Sequence, residues 1–193
     1  MFSTNSAVQK LIKISNELCD IAAASAVLSW DQETYMPAKG AQVRSHQLAT
    51  LAGLYHEKLT HIKIPKIKST NPFDLALIRE IRREYDKATK LPKNLVEEIS
   101  QATSQAFDSW QKAKQASNFA LFAPDLERIL QLKIKAAKLL KTKDQTLYDV
   151  MLDEFEPGLT EDQVEKVFTP LRNKLVTLAA KLTQLTKNTK PVV

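Results

Sequence analysis

Four carboxylates fall within eight positions of the stretch YDVMLDEFEPG: Asp149, Asp153, Glu154 and Glu156. Side chains of this type at this density could serve paired-carboxylate acid–base chemistry or hold a hard cation. Asp149 and Asp153 are four apart and so could share a helical face, whereas Glu156-Pro157-Gly158 reads as the turn into a following helix, whose positive N-terminal end favours acids. A second concentration is SWDQETYMPAKG, residues 29–40. It reads either as a site or as a helix C-terminus held down by a buried Trp30, with Asp31 and Gln32 hydrogen-bonding across a connection.

The three histidines add little to either stretch. HEKLTH, residues 56–61, nearly spells the zinc motif His-Glu-x-x-His, with one residue too many between the imidazoles. A four-residue step leaves two side chains about 40° apart on a helix, but the five-residue step of His56 and His61 leaves them about 140° apart. They cannot share a metal on a regular helix and read as polar residues ending a surface helix. His46 could orient a group across a helix interface, but a lone helical histidine reads more readily as a satisfied packing residue. No Gly-x-Gly-x-x-Gly, Gly-Lys-Ser/Thr loop or Gly-x-Ser-x-Gly elbow occurs, which leaves nucleotide binding and serine hydrolysis without a foothold.

The chain that must position these groups has 193 residues, 44% of them hydrophobic, and only three glycines. Few glycines with abundant Leu, Ala, Lys, Gln and Glu predict an all-α fold. The net charge of +6 comes from 28 basic residues, of which six are Arg, spread along nearly every segment. Scattered Lys beside Asp and Glu describes solvated helix faces better than a phosphate groove, so no nucleic-acid partner is expected. One cysteine, Cys19, excludes an internal disulfide framework, and its place on an apolar stripe predicts a buried thiol. No apolar run approaches the ~20 residues that span a bilayer, and the N-terminus lacks a signal-peptide pattern; no membrane partner and a cytoplasmic location are expected.

Apolar periodicity predicts about six or seven mostly antiparallel helices. The first runs from about residue 5 to 30 through Val8, Leu11, Ile12, Leu18, Ile21, Ala22, Ser25 and Leu28. Pro37 opens the second, with Val43, Gln47, Leu51, Leu54, Tyr55 and Ile62 on its stripe. HIKIPKIKSTNP, residues 61–72, reads as an irregular, solvent-facing connection. Asn71-Pro72, Pro92 and Pro124-Asp125 open three more helices. Thr160 and Gln163 form a capping box for a last helix to about residue 186, in which Pro170 predicts a kink or an early break.

Three stretches carry a resemblance: LSWDQETYMPAKGAQVRSHQLATLAGLYHEKLT, FDSWQKAKQASNFALFAPDLERILQLK and LYDVMLDEFEPGLTEDQVEKVFTPLRNKL. In this order and at this spacing the chain resembles the N-terminal part of the carboxypeptidase Taq (thermostable carboxypeptidase) family. The resemblance implies a mostly helical, neurolysin-like groove and a metal-dependent carboxypeptidase of broad specificity, acting on peptides and usually homodimeric. It further implies that zinc or another divalent metal sits on a His-Glu-x-x-His helix with a further Glu, where the metal activates water and the motif Glu acts as general base. Those motifs belong to family sequence that follows the matched region. This chain has no His after His61, so no catalytic residue, metal ligand or cofactor is expected in it.

Residues 1–193 are therefore expected to form a single helical region, the N-terminal part of a larger enzyme and inactive alone. Its implied place is a wall or lid of the substrate groove, with Trp30, Asp31, Gln32, Tyr35, Asp153, Glu154 and Glu156 as the signature positions. An alternative is a stand-alone helical interaction module descended from that family.

Overall fold

A computed structural model describes residues 5–64 and 69–186. They divide into two compact units, Met1–Leu140 and Lys141–Val193. The first holds α1 (Ser6–Thr34), α2 (Ala41–Thr60), α3 (Pro72–Ala88), α4 (Lys93–Gln115) and α5 (Ala123–Leu140). The second holds α6 (Leu147–Leu152) and α7 (Glu161–Thr186). Among the described residues there is no strand, as the composition predicts. Residues 65–68 of the connection expected at 61–72 lie outside the described residues.

Helix starts follow local chemistry. Asn5 Oδ1 accepts from the backbone N–H groups of Ala7 and Val8, capping α1. Asn71 accepts from Phe73 N–H, with Pro72 in the first turn of α3 where its missing donor is not needed. In the second unit Thr160 N–H donates to Gln163 Oε1 and Gln163 N–H to Thr160 Oγ1, the reciprocal cap that the sequence announces.

Two apolar clusters hold the first unit. Leu11 and Leu18 of α1 meet Leu59 and Ile62 at the end of α2 and Ile81 and Ala88 of α3. Leu95 and Ala102 of α4 meet Leu132 and Ala136 of α5. α2 packs closely on α4 because small residues lie between them. Ala102, Ala106 and Ala113 are buried on α4, and on α2 a Cβ at Gly53 would stand 2.9 Å from Glu97 Cγ and closer still to its carboxylate.

Several expectations change on folding. α1 runs on to Thr34, so Trp30 to Thr34 are helical and the connection shrinks to Tyr35–Pro37 and a 3₁₀ turn, Ala38–Gly40. Pro37 stops α1, because it offers no N–H and disfavours helical geometry at Met36. Cys19 is exposed, since it lies one helical step, about 100°, past the buried Leu18. On α2 the inward face is Ser45, Leu48, Ala49, Gly53, His56 and Leu59, while Val43 and Leu54 are exposed. The start of the 61–72 connection is core, because Ile62 is buried and Ile64 packs beside it. α7 continues through Pro170 without a break.

Candidate functional site

The C-terminal turns of α1 are fixed by two polar ties of different kinds. Asp31 Oδ2 accepts from Arg44 Nη2 at 2.6 Å, and the same guanidinium donates to the Leu28 carbonyl and, through Nε, to Gln47 at 3.1 Å. Arg44 sits in the first turn of α2 and its side chain is largely buried, so this fork staples the end of α1 across the Tyr35–Gly40 connection. Gln32 makes the second tie, to α4. Its Nε2 donates to the Ser104 carbonyl at 2.8 Å and its Oε1 accepts from Ser104 Oγ at 2.9 Å, with both side chains buried.

These ties decide where the aromatic residues point. Trp30 and Gln32 are two residues, about 200°, apart around the helix, so seating Gln32 against α4 turns Trp30 outward. Trp30 is 57% exposed and Tyr35 76% exposed, their rings edge to face at 5.6 Å. Trp30 is thus not the buried anchor of the sequence reading; Asp31 and Gln32 supply the anchoring.

A groove of about 560 Å³ opens beside the Gln32–Ser104 tie, bounded by α1, α2, α4 and the segment around Phe122. Ser25, Ser29 and Thr103 give it hydroxyls, and Leu48, Phe107 and Trp110 give it apolar walls. Trp110 is braced by Phe107, ring centroids 5.7 Å apart, and carries Lys114 Nζ 5.0 Å above its ring. Among the described residues that line it, Glu33 is the one carboxylate and there is no histidine or cysteine. The arrangement can seat and orient an apolar side chain, but it has no nucleophile–base or acid–base pair.

Asp153, Glu154 and Glu156 lie in the second unit. Asp149 is in the first turn of α6, where Oδ2 accepts from Thr146 N–H at 2.7 Å in a capping box and Oδ1 accepts from Glu161 N–H at 2.7 Å, at the start of α7. Asp153 follows the end of α6 and accepts from Gly158 N–H at 2.8 Å, with Gly158 at φ +82, a backbone that glycine alone adopts readily. Backbone donors of the turn engage both carboxylates, Thr146 and Glu161 at Asp149 and Gly158 at Asp153. Glu154 and Glu156 are exposed around the same turn.

The Glu161 N–H and then the Thr146 N–H hold the Asp149 carboxyl below the usual carboxylate range, against the opposing effect of burial. A depressed folded pKa contributes stability above the unfolded value, near 4, that is lost as pH falls through the folded one. Asp149→Ala should therefore melt at lower temperature than the parent at neutral pH, with the gap narrowing as pH falls below the unfolded carboxylate value, near 4. A constant gap in melting midpoint across that range would remove the carboxylate's role.

The histidines separate as their spacing requires, but not as two surface residues. His61 is exposed, its Nδ1 2.6 Å from the Glu57 carbonyl. His56 is buried, its Nε2 2.9 Å from the Ala88 carbonyl and 2.8 Å from the Leu91 carbonyl. His46 is exposed and lies 3.4 Å from Gln101 of α4, so it is not the packing residue that the sequence reading favoured. Arg44, Ser104 and His56 are the positioning residues that sequence reading missed. None of the three carried a signal: Ser104 sits two residues, about 200°, from both Ala102 and Ala106, off the face that periodicity picks out. Among the described residues no three His, Cys, Asp or Glu side chains are grouped to hold a metal ion.

A sequence model of the carboxypeptidase Taq (M32) metallopeptidase family matches residues 10–192. The chain is 31% identical over 185 residues to thermostable carboxypeptidase 1 of Pyrococcus furiosus, which covers 92% of this chain and 37% of that protein. It is 29% identical over 187 residues to thermostable carboxypeptidase 1 of Thermus thermophilus, with 88% and 37% covered. A solved structure of the Pyrococcus furiosus carboxypeptidase, described as apo-Mg, superimposes with a TM-score of 0.77 at 30% identity, over 97% of this chain and 39% of that one. The chain thus spans well under half the length of the relatives it matches. With its all-helical fold and a match running through both compact units, the chain belongs to the carboxypeptidase Taq (M32) metallopeptidase family.

Proposed function

We propose that these 193 residues are the N-terminal helical region of a zinc-dependent carboxypeptidase that removes C-terminal amino acids from peptides, and that they shape its substrate groove without supplying the metal ligands. The observation that carries this reading is the family match over residues 10–192 in a chain equivalent to 37% of its relatives. The chemistry of the described residues agrees with it. They offer a groove with apolar walls and hydroxyls beside a rigidly tied helix end.

In this role the region works by geometry. The Asp31–Arg44 fork and the Gln32–Ser104 pair hold the groove wall in one position, and the wall excludes water and orients peptide while metal, water and general base act elsewhere in the enzyme. Purified alone, the chain should bind no stoichiometric zinc and release no C-terminal amino acid from peptides. Zinc at one equivalent together with such release would overturn the proposal.

The exposed Trp30–Tyr35 pair provides a finer test. In a polypeptide of the family's full length carrying this region, Trp30→Ala should change stability by less than about 1 kcal/mol, since an exposed edge-to-face pair contributes little. KM for peptide substrate should rise by about 3–10-fold with kcat nearly unchanged, the signature of lost binding that does not differ between ground and transition states. Unaltered KM would exclude the pair from substrate contact.

A further inference from the structure

α7 places apolar side chains at alternating steps of four and three: Val164, Phe168, Leu171, Leu175, Leu178, Leu182 and Leu185. This is a seven-residue repeat sustained over three heptads. A helix lying on a globular core follows a 3.6-residue period, whereas a strict 3.5-residue period keeps one seam facing a single partner helix along its length. Phe168, Leu171, Leu175, Leu178, Leu182 and Leu185 are between 44% and 73% exposed, and α7 has no buried residue among those described. Pro170 falls away from this seam. The carbonyl it leaves without a donor, that of Lys166, also lies on the side of the helix away from the seam, so the seam side keeps its hydrogen-bond ladder and the helix continues.

The residues flanking the seam say what can lie on it. They are Glu165, Val167, Arg172, Lys174, Ala179 and Lys181, three cations against one anion. A second copy aligned in parallel would set Val167 beside Arg172 and Lys174 beside Ala179, with no opposite charges paired. A second copy aligned antiparallel over the whole seam would set Lys174 against Lys181 twice. Neither arrangement offers an attractive flank.

We infer that α7 is one strand of a heterologous two-helix coiled coil whose other strand carries an apolar heptad seam flanked by Glu or Asp. The source of that strand is the part of the family polypeptide that this chain does not span, about three-fifths of its relatives' length. The assignment of source rests on the family reading above; the pairing chemistry rests on α7 alone.

The test uses the purified 193-residue chain and two synthetic helices of about four heptads with identical Leu/Ile seams, one flanked by Glu and one by Lys. Like-charged flanks keep each peptide from pairing with itself. The Glu-flanked peptide should bind at least about 10-fold more tightly than the Lys-flanked one, with the difference shrinking in high salt. Leu171→Glu with Leu178→Glu should abolish binding, and Lys174→Glu with Lys181→Glu should invert the preference. These four side chains are on the outside, so the variants should retain parental helicity by circular dichroism. In a polypeptide of the family's full length the seam should be filled and the Glu-flanked peptide excluded.

Equal affinities, no binding, or a stable dimer of the chain that dissociates on seam substitution would each overturn the pairing. Undiminished binding to the full-length polypeptide would overturn its source. No peptidase activity enters these readouts, so failure here and failure of the carboxypeptidase reading are distinguishable.

Discussion

Gln32→Ala should lower the unfolding midpoint of the first unit by about 5–15 °C, corresponding to roughly 2–4 kcal/mol at roughly 2–4 °C per kcal/mol. Gln32 is only 8% exposed and exchanges two hydrogen bonds with Ser104, one to its carbonyl and one from its hydroxyl. Removing the amide leaves the buried Ser104 hydroxyl without its acceptor, which costs about 1–3 kcal/mol, and the lost side-chain volume adds a cavity cost at the head of the groove. Gln32→Glu should be worse than a mere loss of hydrogen bonding, because it sets a carboxylate against the Ser104 carbonyl in a buried position. The double change Gln32→Leu with Ser104→Ala removes both partners and should recover more than half of the loss. A double-mutant cycle measured by urea denaturation isolates the coupling. A Gln32→Ala midpoint within about 1 °C of the parent would show that the tie does not hold α1 to α4.

His56→Leu should destabilise the first unit by about 2–4 kcal/mol, although the substitution is apolar and the site is buried. Both atoms facing Nε2 are carbonyl oxygens, of Ala88 and Leu91, so Nε2 carries the hydrogen and shares it between them. The bond pins the C-terminal part of α2 to the corner where α3 ends and α4 begins. Ala88 also accepts from Leu91 N–H, but the Leu91 carbonyl depends on the imidazole for its side-chain donor. Nδ1 is buried with no hydrogen-bond partner, so the ring is held from one side alone. Replacement by Gln keeps a donor of similar reach and should retain most of the stability, whereas Leu fills space and leaves carbonyls bare. Equal midpoints for the Gln and Leu variants would mean that His56 acts by volume only, and accelerated amide exchange around Leu91 in the Leu variant alone would support the bond.

Much of the helical order was legible because it is written in local terms. Asn71-Pro72 and Thr160-x-x-Gln163 act through backbone donors two or three residues away, and Leu95, Ala102 and Ala106 follow the period of one helix. The boundary of α1 was less legible. The polar run Asp31-Gln32-Glu33-Thr34 resembles a loop until Pro37 is weighed as the stop, and its polar members remain helical because two of them find partners on other helices. Cys19 was misplaced because a 100° step separates inward from outward and an apolar stripe does not resolve neighbours that closely, and Trp30 because burial was read from its ring while the partners of Asp31 and Gln32 set which way it points.

The carboxylates of the second unit show the same division. Their types announced acid chemistry, but Asp149 and Asp153 each face backbone N–H groups of a turn, and this could be seen only once Glu161 and Gly158 had been brought back onto them.

By itself, then, the sequence determined the fold class, most helix starts, the heptad seam of α7 and, through the WDQETYMP and DEFEPG stretches, the family. Each of these depends on residues near one another in the chain, or on the identity of the residues themselves. Only the tertiary structure decided that Gln32 belongs to Ser104, Asp31 to Arg44 and His56 to the Ala88–Leu91 corner. Those partners are 13 to 72 residues apart. A buried polar group takes whichever partner the packing of other helices delivers, and no local pattern specifies which one that will be.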